Sequence, residues 1–429
     1  MKEQQPGYYE IYLEILKQEL VPALGCTEPV AVAYAAAMAR DILGVFPAHA
    51  QISCSANIVK NVKGAVVPNT GGMRGIATAA IAGIVRGNAE AKLRVLESIT
   101  EDDCTKIERL LKKGFCTTLL AEGIEGLYIQ AIVTNENESA EVVIKDSHTN
   151  IVRIKRNDEI IFECDSHNSN DSKVSSSVKY DLLNVHDILD FANNVDLAEV
   201  SEIIECQIQM NTAISEEGLV HEYGCAIGKA ILAKEGNSVR SRARARAAAG
   251  SDARMGGCAM PVIINSGSGN QGLTVSLPVI EYAKEMSADH EKLIRALVLS
   301  NLIALEQKAF IGKLSAYCGA VSAAVGSAAA ITYLYGGNYE QISMTITNAI
   351  ATASGILCDG AKSSCSAKIA TALEAALLGH EMSMERRTFL PGEGLVVDQV
   401  DKTIHNFGYI GSVGMRQTDI EIINLMLKD

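Results

Sequence analysis

The chain has no tryptophan, and aromatic residues make up only 5% of it. Large rings therefore cannot carry its core, which must close on small and aliphatic side chains. Proline is also sparse, eight in 429 residues, which leaves room for long uninterrupted helices. Positive charge is in deficit: 38 Lys and Arg against 51 Asp and Glu give a formal charge of −13. That balance argues against bulk binding to nucleic acid or to an anionic membrane surface. An anionic substrate would need local positive potential, which helix N-termini and a few cations can supply. Long apolar runs are missing too. AAVGSAAAITYLYGG, around Ala324, is too short and too small-sided to span a bilayer. The opening MKEQQPGYYEIYLEILKQEL carries charges and no apolar core, so no signal peptide is expected there.

What the sequence does have is alanine, glycine and cysteine. At 48% hydrophobic and 21% charged it is an ordinary globular composition, and the small residues favour close helix–helix packing. Eleven cysteines without a secretory signal suggest a reducing cytoplasm with thiols open to metal, not a disulfide framework.

Helical periodicity covers Tyr8–Leu20 and, after the turn LGCTEP, about Val30–Leu43, with Thr27 as a candidate cap and Pro29 in the first turn. Gln51–Val59 alternates like a strand, and NTGGMRG leads into a helix from about Ile76 to Val85. From Phe115 to Cys164 the period becomes two, predicting three or four antiparallel strands. A polar run follows at 165–177. Beyond it helices are expected at Val185–Ala192, Val200–Asn211, Gly218–Lys234, Val239–Ala249, Leu273–Met286, His290–Phe310, Leu314–Tyr335, Tyr339–Thr352 and Ala367–Leu378. The fold expected is α+β. A mainly helical catalytic body of residues 1–47 and 178–429 is interrupted by an inserted α/β subdomain, 48–177, which ends in the polar linker 165–177.

Cys318, Cys358 and Cys365 lie among small residues, in YCGAVSAAVGSAAA and TASGILCDGAKSSCSAK, separated by 40 and 7 positions. Three thiolates are one short of a closed tetrahedral metal site or a fully ligated 4Fe–4S cluster, and an open iron can act as a Lewis acid. Cys358 and Cys365 bracket DGAKSS, a turn that should open a helix. Cys26 stands in the glycine-flanked LGCTEP turn, where a core position, a displaceable fourth ligand and a base for a Cα proton all remain open. The helix that follows should lower its pKa. The other seven cysteines read as small core residues.

Two glycine-rich turns are candidate sites for a substrate carboxylate: Asn69, Thr70 and Gly71 in NTGG, and Ser266, Gly267, Ser268, Gly269 and Asn270 in SGSGNQG. The second contains G-x-G-x-x-G after a strand-like MPVIIN, so a dinucleotide site must be weighed. Lys60, Lys63 and Arg74 flank the first turn and read mainly as solvated surface. His221 and Cys225 share helical spacing, and core packing is preferred to a zinc pair there.

From about Met260 to Gly379 the order of segments resembles the catalytic domain of iron–sulfur L-serine dehydratases: MPVIINSGSGNQG, a helix, YCGAVSAAVGSAAA, then a Cys-Asp pair and another Cys. The whole chain resembles the L-cysteine desulfidase group, in which LGCTEP near the N-terminus joins ILCDGAKSSCSAK near the C-terminus. That resemblance implies a 4Fe–4S cluster on three cysteines, which fall here on Cys318, Cys358 and Cys365, with Cys26 at a functional cysteine position. The serine dehydratases carry a longer gap between their last two cysteines and a Ser/His-rich substrate motif. This chain has the shorter gap, and GCTEP in place of that motif.

The expected activity is pyridoxal-independent β-elimination from L-cysteine, giving pyruvate, ammonia and sulfide, with L-serine as the alternative substrate. From other classes, an NAD-dependent oxidoreductase or a non-catalytic metabolite-binding protein stays in view. Thr27, Asn69, Thr70, Gly71 and residues 266–270 are the expected substrate contacts. The expected partner is a small amino acid, with neither nucleic acid nor membrane, and a homodimer is left open.

Overall fold

The structure, a computed structural model, describes residues 7–124, 126–164, 180–312 and 314–428; the polar run expected at 165–177 lies outside them. The N-terminal part runs α1 (Tyr9–Glu19), β1 (Pro22–Leu24), α2 (Thr27–Leu43), β2 (His49–Cys54), α3 (Ala56–Lys63), α4 (Ile76–Arg86) and α5 (Glu101–Lys112). Strands follow: β3 (Cys116–Leu120), β4 (Tyr128–Asn135), β5 (Glu138–Lys145), β6 (Ile151–Arg156) and β7 (Glu159–Glu163). The rest is helical apart from one short strand: α6 (Val185–Asn194), α7 (Leu197–Val220), α8 (Ile227–Glu235), α9 (Val239–Met255), β8 (Pro261–Ile263) and α10 (Gly269–Glu285). It ends with α11 (His290–Ile311), α12 (Gly319–Leu334), α13 (Tyr339–Ala353), α14 (Cys365–Met384), α15 (Val400–Tyr409) and α16 (Arg416–Lys428). This is an α+β fold with a mainly helical body.

Six strands form one mixed sheet in the order β3-β2-β4-β5-β6-β7, with only β2 and β3 parallel. Strands β1 and β8 form a separate antiparallel ribbon, Pro22 opposite Ile263. The segment Gln51–Val59 is therefore not one strand. Pairing stops at Cys54, and Ser55 turns the chain into α3. The expected helix Gly218–Lys234 is likewise two helices, broken between Val220 and Ile227, where Gly224 and Ala226 take left-handed φ of 55° and 47°. His221 and Cys225 fall in that break and are both exposed, so they neither pack in the core nor share a helix face.

Small residues set the helix spacing, as the composition suggests. A methyl group on Gly83 of α4 would lie 2.2 Å from the Ala33 carbonyl oxygen of α2, and one on Gly326 of α12 would lie 2.4 Å from that of Ser300 in α11. Helix α12 is buried along almost its whole length and packs against α10, α11, α13 and α14. Helix α2 packs on α4 and on strands β4 and β5, which joins the sheet to the helical body.

Candidate functional site

One cavity is lined by Cys26, Cys318, Cys358 and Cys365 together. Backbone pairing explains how residues far apart in the chain meet. Tyr317 and Leu357 form an antiparallel bridge, with Cys318 N–H donating to the Ile356 carbonyl at 3.1 Å and Cys358 N–H to that of Ala316 at 2.7 Å. Cys365 opens α14 directly after the DGAKSS turn. In that turn Asp359 accepts from Lys362 and Lys368, and Gly360 takes a left-handed φ of 93° with its α-carbon packed on the Lys60 carbonyl.

Four helices start at this cavity. Cys26 is the N-cap of α2, Ser268 that of α10, Cys318 that of α12, and Cys365 is the first residue of α14. The N-terminal end of each helix carries partial positive charge. Lys60, Arg254 and Lys308 add three buried cations. A strongly acidic chain thus concentrates positive potential at one place. Lys60 is not solvated surface: it is 2% exposed and pairs with Asp419 of α16.

Burial outweighs the nearby cations at three of the thiols. Burial pushes Cys318 up to about 12, with the neighbouring Cys358 and Cys365 adding to the effect, and burial raises Cys365 as well. Cys26 corrects the sequence expectation. Its thiol is pushed up, not down, because complete burial and the Glu28 carboxylate outweigh the helix end and Arg254. The Cys26 Sγ–H donates to Glu28 Oε2 at 3.1 Å.

Glu28, which the sequence reading passed over, is the anion of the site. Its Oε2 also accepts from Thr27 Oγ1 at 3.0 Å, and its Oε1 accepts from Asn61 Nδ2 at 3.0 Å. Burial alone would raise its pKa, but the adjacent His148 imidazole and the Cys26 thiol hold it down to about 2.

Two further side chains are incompletely satisfied. Arg254, 3% exposed, donates from Nη1 to Asn270 Oδ1 at 3.1 Å, while its buried Nε has no partner among the described residues. Gln271 lines the same cavity, and its buried Oε1 also has no partner among them. Glycine keeps both in place. A methyl on Gly269 would lie 2.3 Å from Arg254 Nε, and one on Gly319 would lie 2.6 Å from the Gln271 amide carbon.

The two glycine turns part company here. Ser268 and Asn270 line the cavity, while Ser266 and Gly267 shape the turn behind them with φ of 49° and 73°. The one Thr27 hydroxyl proton is shared between Glu28 Oε2 and the Gly267 carbonyl, 2.9 Å away, which ties α2 to that turn. Asn69, Thr70 and Gly71 are not among the lining residues. Asn69 Nδ2 donates to the Leu96 carbonyl and Thr70 Oγ1 to that of Val67, so both are used locally. The dinucleotide reading fails on topology, because β8 is three residues long and pairs antiparallel with β1 in a two-stranded ribbon. Of the seven cysteines read as core, Cys54 and Cys258 are buried, whereas Cys164 and Cys225 are exposed.

Among the described residues no group of three or more His, Cys, Asp or Glu side chains is gathered closely enough for a single metal ion. Sulfurs bound to different irons of a cluster stand farther apart than donors to one ion. Four thiols on one cavity, all free of disulfides, fit a cationic inorganic centre that would take them as thiolates. The residues present therefore fit an iron–sulfur cluster.

The fold and cavity define a mainly helical protein built around a buried, thiol-lined site. The chain belongs to the serine dehydratase alpha chain family, which matches residues 90–424. It is 51% identical to a UPF0597 protein of Lachnoclostridium phytofermentans over 98% of this chain and 100% of that one. Similar proteins of Desulfitobacterium hafniense (48% identical, covering 99% of this chain and 98% of that one) and Treponema denticola (49%, covering 98% of each) also carry the name UPF0597. No helix among the described residues is long and apolar enough to cross a membrane.

Proposed function

We propose that the chain is a lyase that removes the β-substituent of a small L-amino acid, with a 4Fe–4S cluster held by Cys318, Cys358 and Cys365. L-Cysteine is the favoured substrate and L-serine the alternative, the latter supported by the family name. The observation that carries this reading is the meeting of four cysteines on one cavity beside a buried donor, Arg254 Nε, and a buried acceptor, Gln271 Oε1, that have no partner among the described residues. A free amino acid offers the complement of that pair: a carboxylate for Arg254 and an ammonium for Gln271. When bound, the cluster would supply a Lewis-acidic iron that makes a thiol or hydroxyl a better leaving group.

The chain's own residues supply the rest. Arg254, fixed by Asn270, orients the substrate carboxylate and stabilises the charge that builds there as the Cα proton leaves. Cys26 Sγ is the base. A high thiol pKa leaves little thiolate at rest but makes the thiolate that forms a strong proton acceptor. Glu28 Oε2, hydrogen-bonded to Cys26, stays a carboxylate and holds the sulfur in place, so Cys26 acts from the fraction that has lost its proton to solvent. The aminoacrylate released tautomerises to an imine, and water converts it to pyruvate and ammonia.

The test is an anaerobic assay of cluster-loaded protein for pyruvate from L-cysteine and from L-serine, with sulfide measured in the first case. Pyruvate is expected from at least one substrate. Cys26→Ala should retain the visible absorption of the cluster and lose turnover by about 10²-fold or more. Loaded protein that yields no pyruvate from either amino acid refutes the lyase.

A further inference from the structure

The turn between β5 and β6 is where the sheet reaches the cavity wall. Asp146 takes a left-handed φ of 66°, and Ser147 N–H and Asn150 N–H close the turn on Lys145 and Ser147. Asn150 Nδ2 adds a bond to the Lys145 carbonyl at 2.9 Å. The turn carries His148 inward until it is 6% exposed. Its ring lies edge-on to the substrate-side turn: a methyl on Gly267 would be 3.0 Å from Cε1 and 3.2 Å from Nδ1.

The other edge of the ring faces Glu28. Nε2 of His148 lies 3.9 Å from Glu28 Oε1 and has no hydrogen-bond partner among the described residues. An apolar side chain would fill the same space without leaving a buried ring nitrogen unpaired, an omission that is ordinarily destabilising. Packing does not explain an imidazole here, whereas the carboxylate beside it does. A closing movement of about 1 Å, or one bridging water, brings Nε2–H into hydrogen-bond range of Oε1.

We propose that His148 is a positioning residue for the base. Resting on the lyase reading above, its Nε2–H and Asn61 Nδ2 hold Glu28 Oε1 from one side, so that Oε2 stays aimed at Cys26 Sγ. The sheet then contributes to catalysis through one imidazole, two hydrogen bonds away from the substrate. The carboxylate keeps its own place in α2, while the turn 146–150 fixes its rotation. No bond is made or broken at His148 itself.

The experiment compares His148→Leu, which fills the space without a donor, with His148→Gln, which restores an N–H. In the loaded enzyme His148→Leu should lower kcat by about 10–100-fold with KM and iron content unchanged. The kinetic isotope effect from Cα-deuterated substrate should grow, because proton removal becomes slower, and His148→Gln should recover most of the rate. A leucine variant with wild-type kcat overturns the proposal, as does one in which KM or iron content falls in step with rate.

A second readout needs no activity. The S–H stretch of Cys26 in the metal-free protein can be isolated as the infrared difference against Cys26→Ser. It should move to higher frequency in His148→Leu, as the bond to Glu28 weakens, and return in His148→Gln. An unmoved band overturns the role of His148 even if the protein eliminates nothing. A wild type without turnover but with the band shift refutes the lyase reading alone.

Discussion

Glu28 and Glu306 are both buried carboxyl groups in helices of the same body, and they end in opposite states. Glu28 accepts from Cys26, Thr27 and Asn61 and is held down to about 2, so it is a carboxylate. Glu306, in α11, has neither oxygen paired among the described residues. Burial and the neighbouring Asp401 push it well above the usual carboxyl range. The contrast shows that burial alone does not decide a charge; the number of donors aimed at it does. A charge kept ionised by convergent donors beside a nucleophilic thiol is the arrangement expected of a working group.

Removing the charge from Glu28 should have the largest effect. Glu28→Gln removes the carboxylate that orients Cys26 and should reduce kcat by about 10²–10⁴-fold with cluster absorption intact, measured as pyruvate release. Full activity in that variant would put Glu28 on a level with Glu306. The opposite outcome is expected at Glu306, where Glu306→Leu should leave turnover unchanged and raise stability by about 1–3 kcal/mol in chemical denaturation, since an unpaired buried acid is lost.

The pH dependence sharpens the same contrast. A carboxyl group raised on folding contributes most stability below its ordinary pKa of 4.5, and that contribution is lost as pH rises through the raised value. Denaturation midpoints of the wild type should therefore fall on the alkaline side more steeply than those of Glu306→Gln. Parallel curves would remove Glu306 from that role. The smallest effect belongs to the turn that misses the cavity. Asn69→Ala removes the Nδ2 hydrogen bonds to the Leu96 and Glu97 carbonyls and should cost about 1 kcal/mol of stability while leaving KM unchanged.

The cysteine constellation was legible because thiols in small-residue turns have few other uses, and the small residues also foretold the close helix contacts. The strongly periodic helices were legible as well, with boundaries displaced wherever a left-handed turn such as 224–226 interrupts the pattern. The two glycine turns could not be told apart in sequence. Both offer left-handed φ, and only tertiary packing sends Ser268 and Asn270 to the cavity while Asn69 and Thr70 bond to their own neighbourhood. The Cys26 expectation failed because a helix N-terminus was weighed without the carboxylate two residues on, although Glu28 stands in the same GCTEP motif. Arg254, Gln271 and His148 left no local signal, and Lys60, though noticed beside the NTGG turn, read as solvated surface. Each looks like an ordinary polar residue until the fold buries it.

The meeting of Cys318, Cys358 and Cys365 around one inorganic centre is tested most directly by iron and acid-labile sulfide content after anaerobic reconstitution. The wild type and Cys26→Ala should each bind about four irons and four sulfides per chain, and Cys358→Ser should lose most of both. A wild type that takes up a single metal ion, or a Cys358→Ser variant that loads fully, would contradict it.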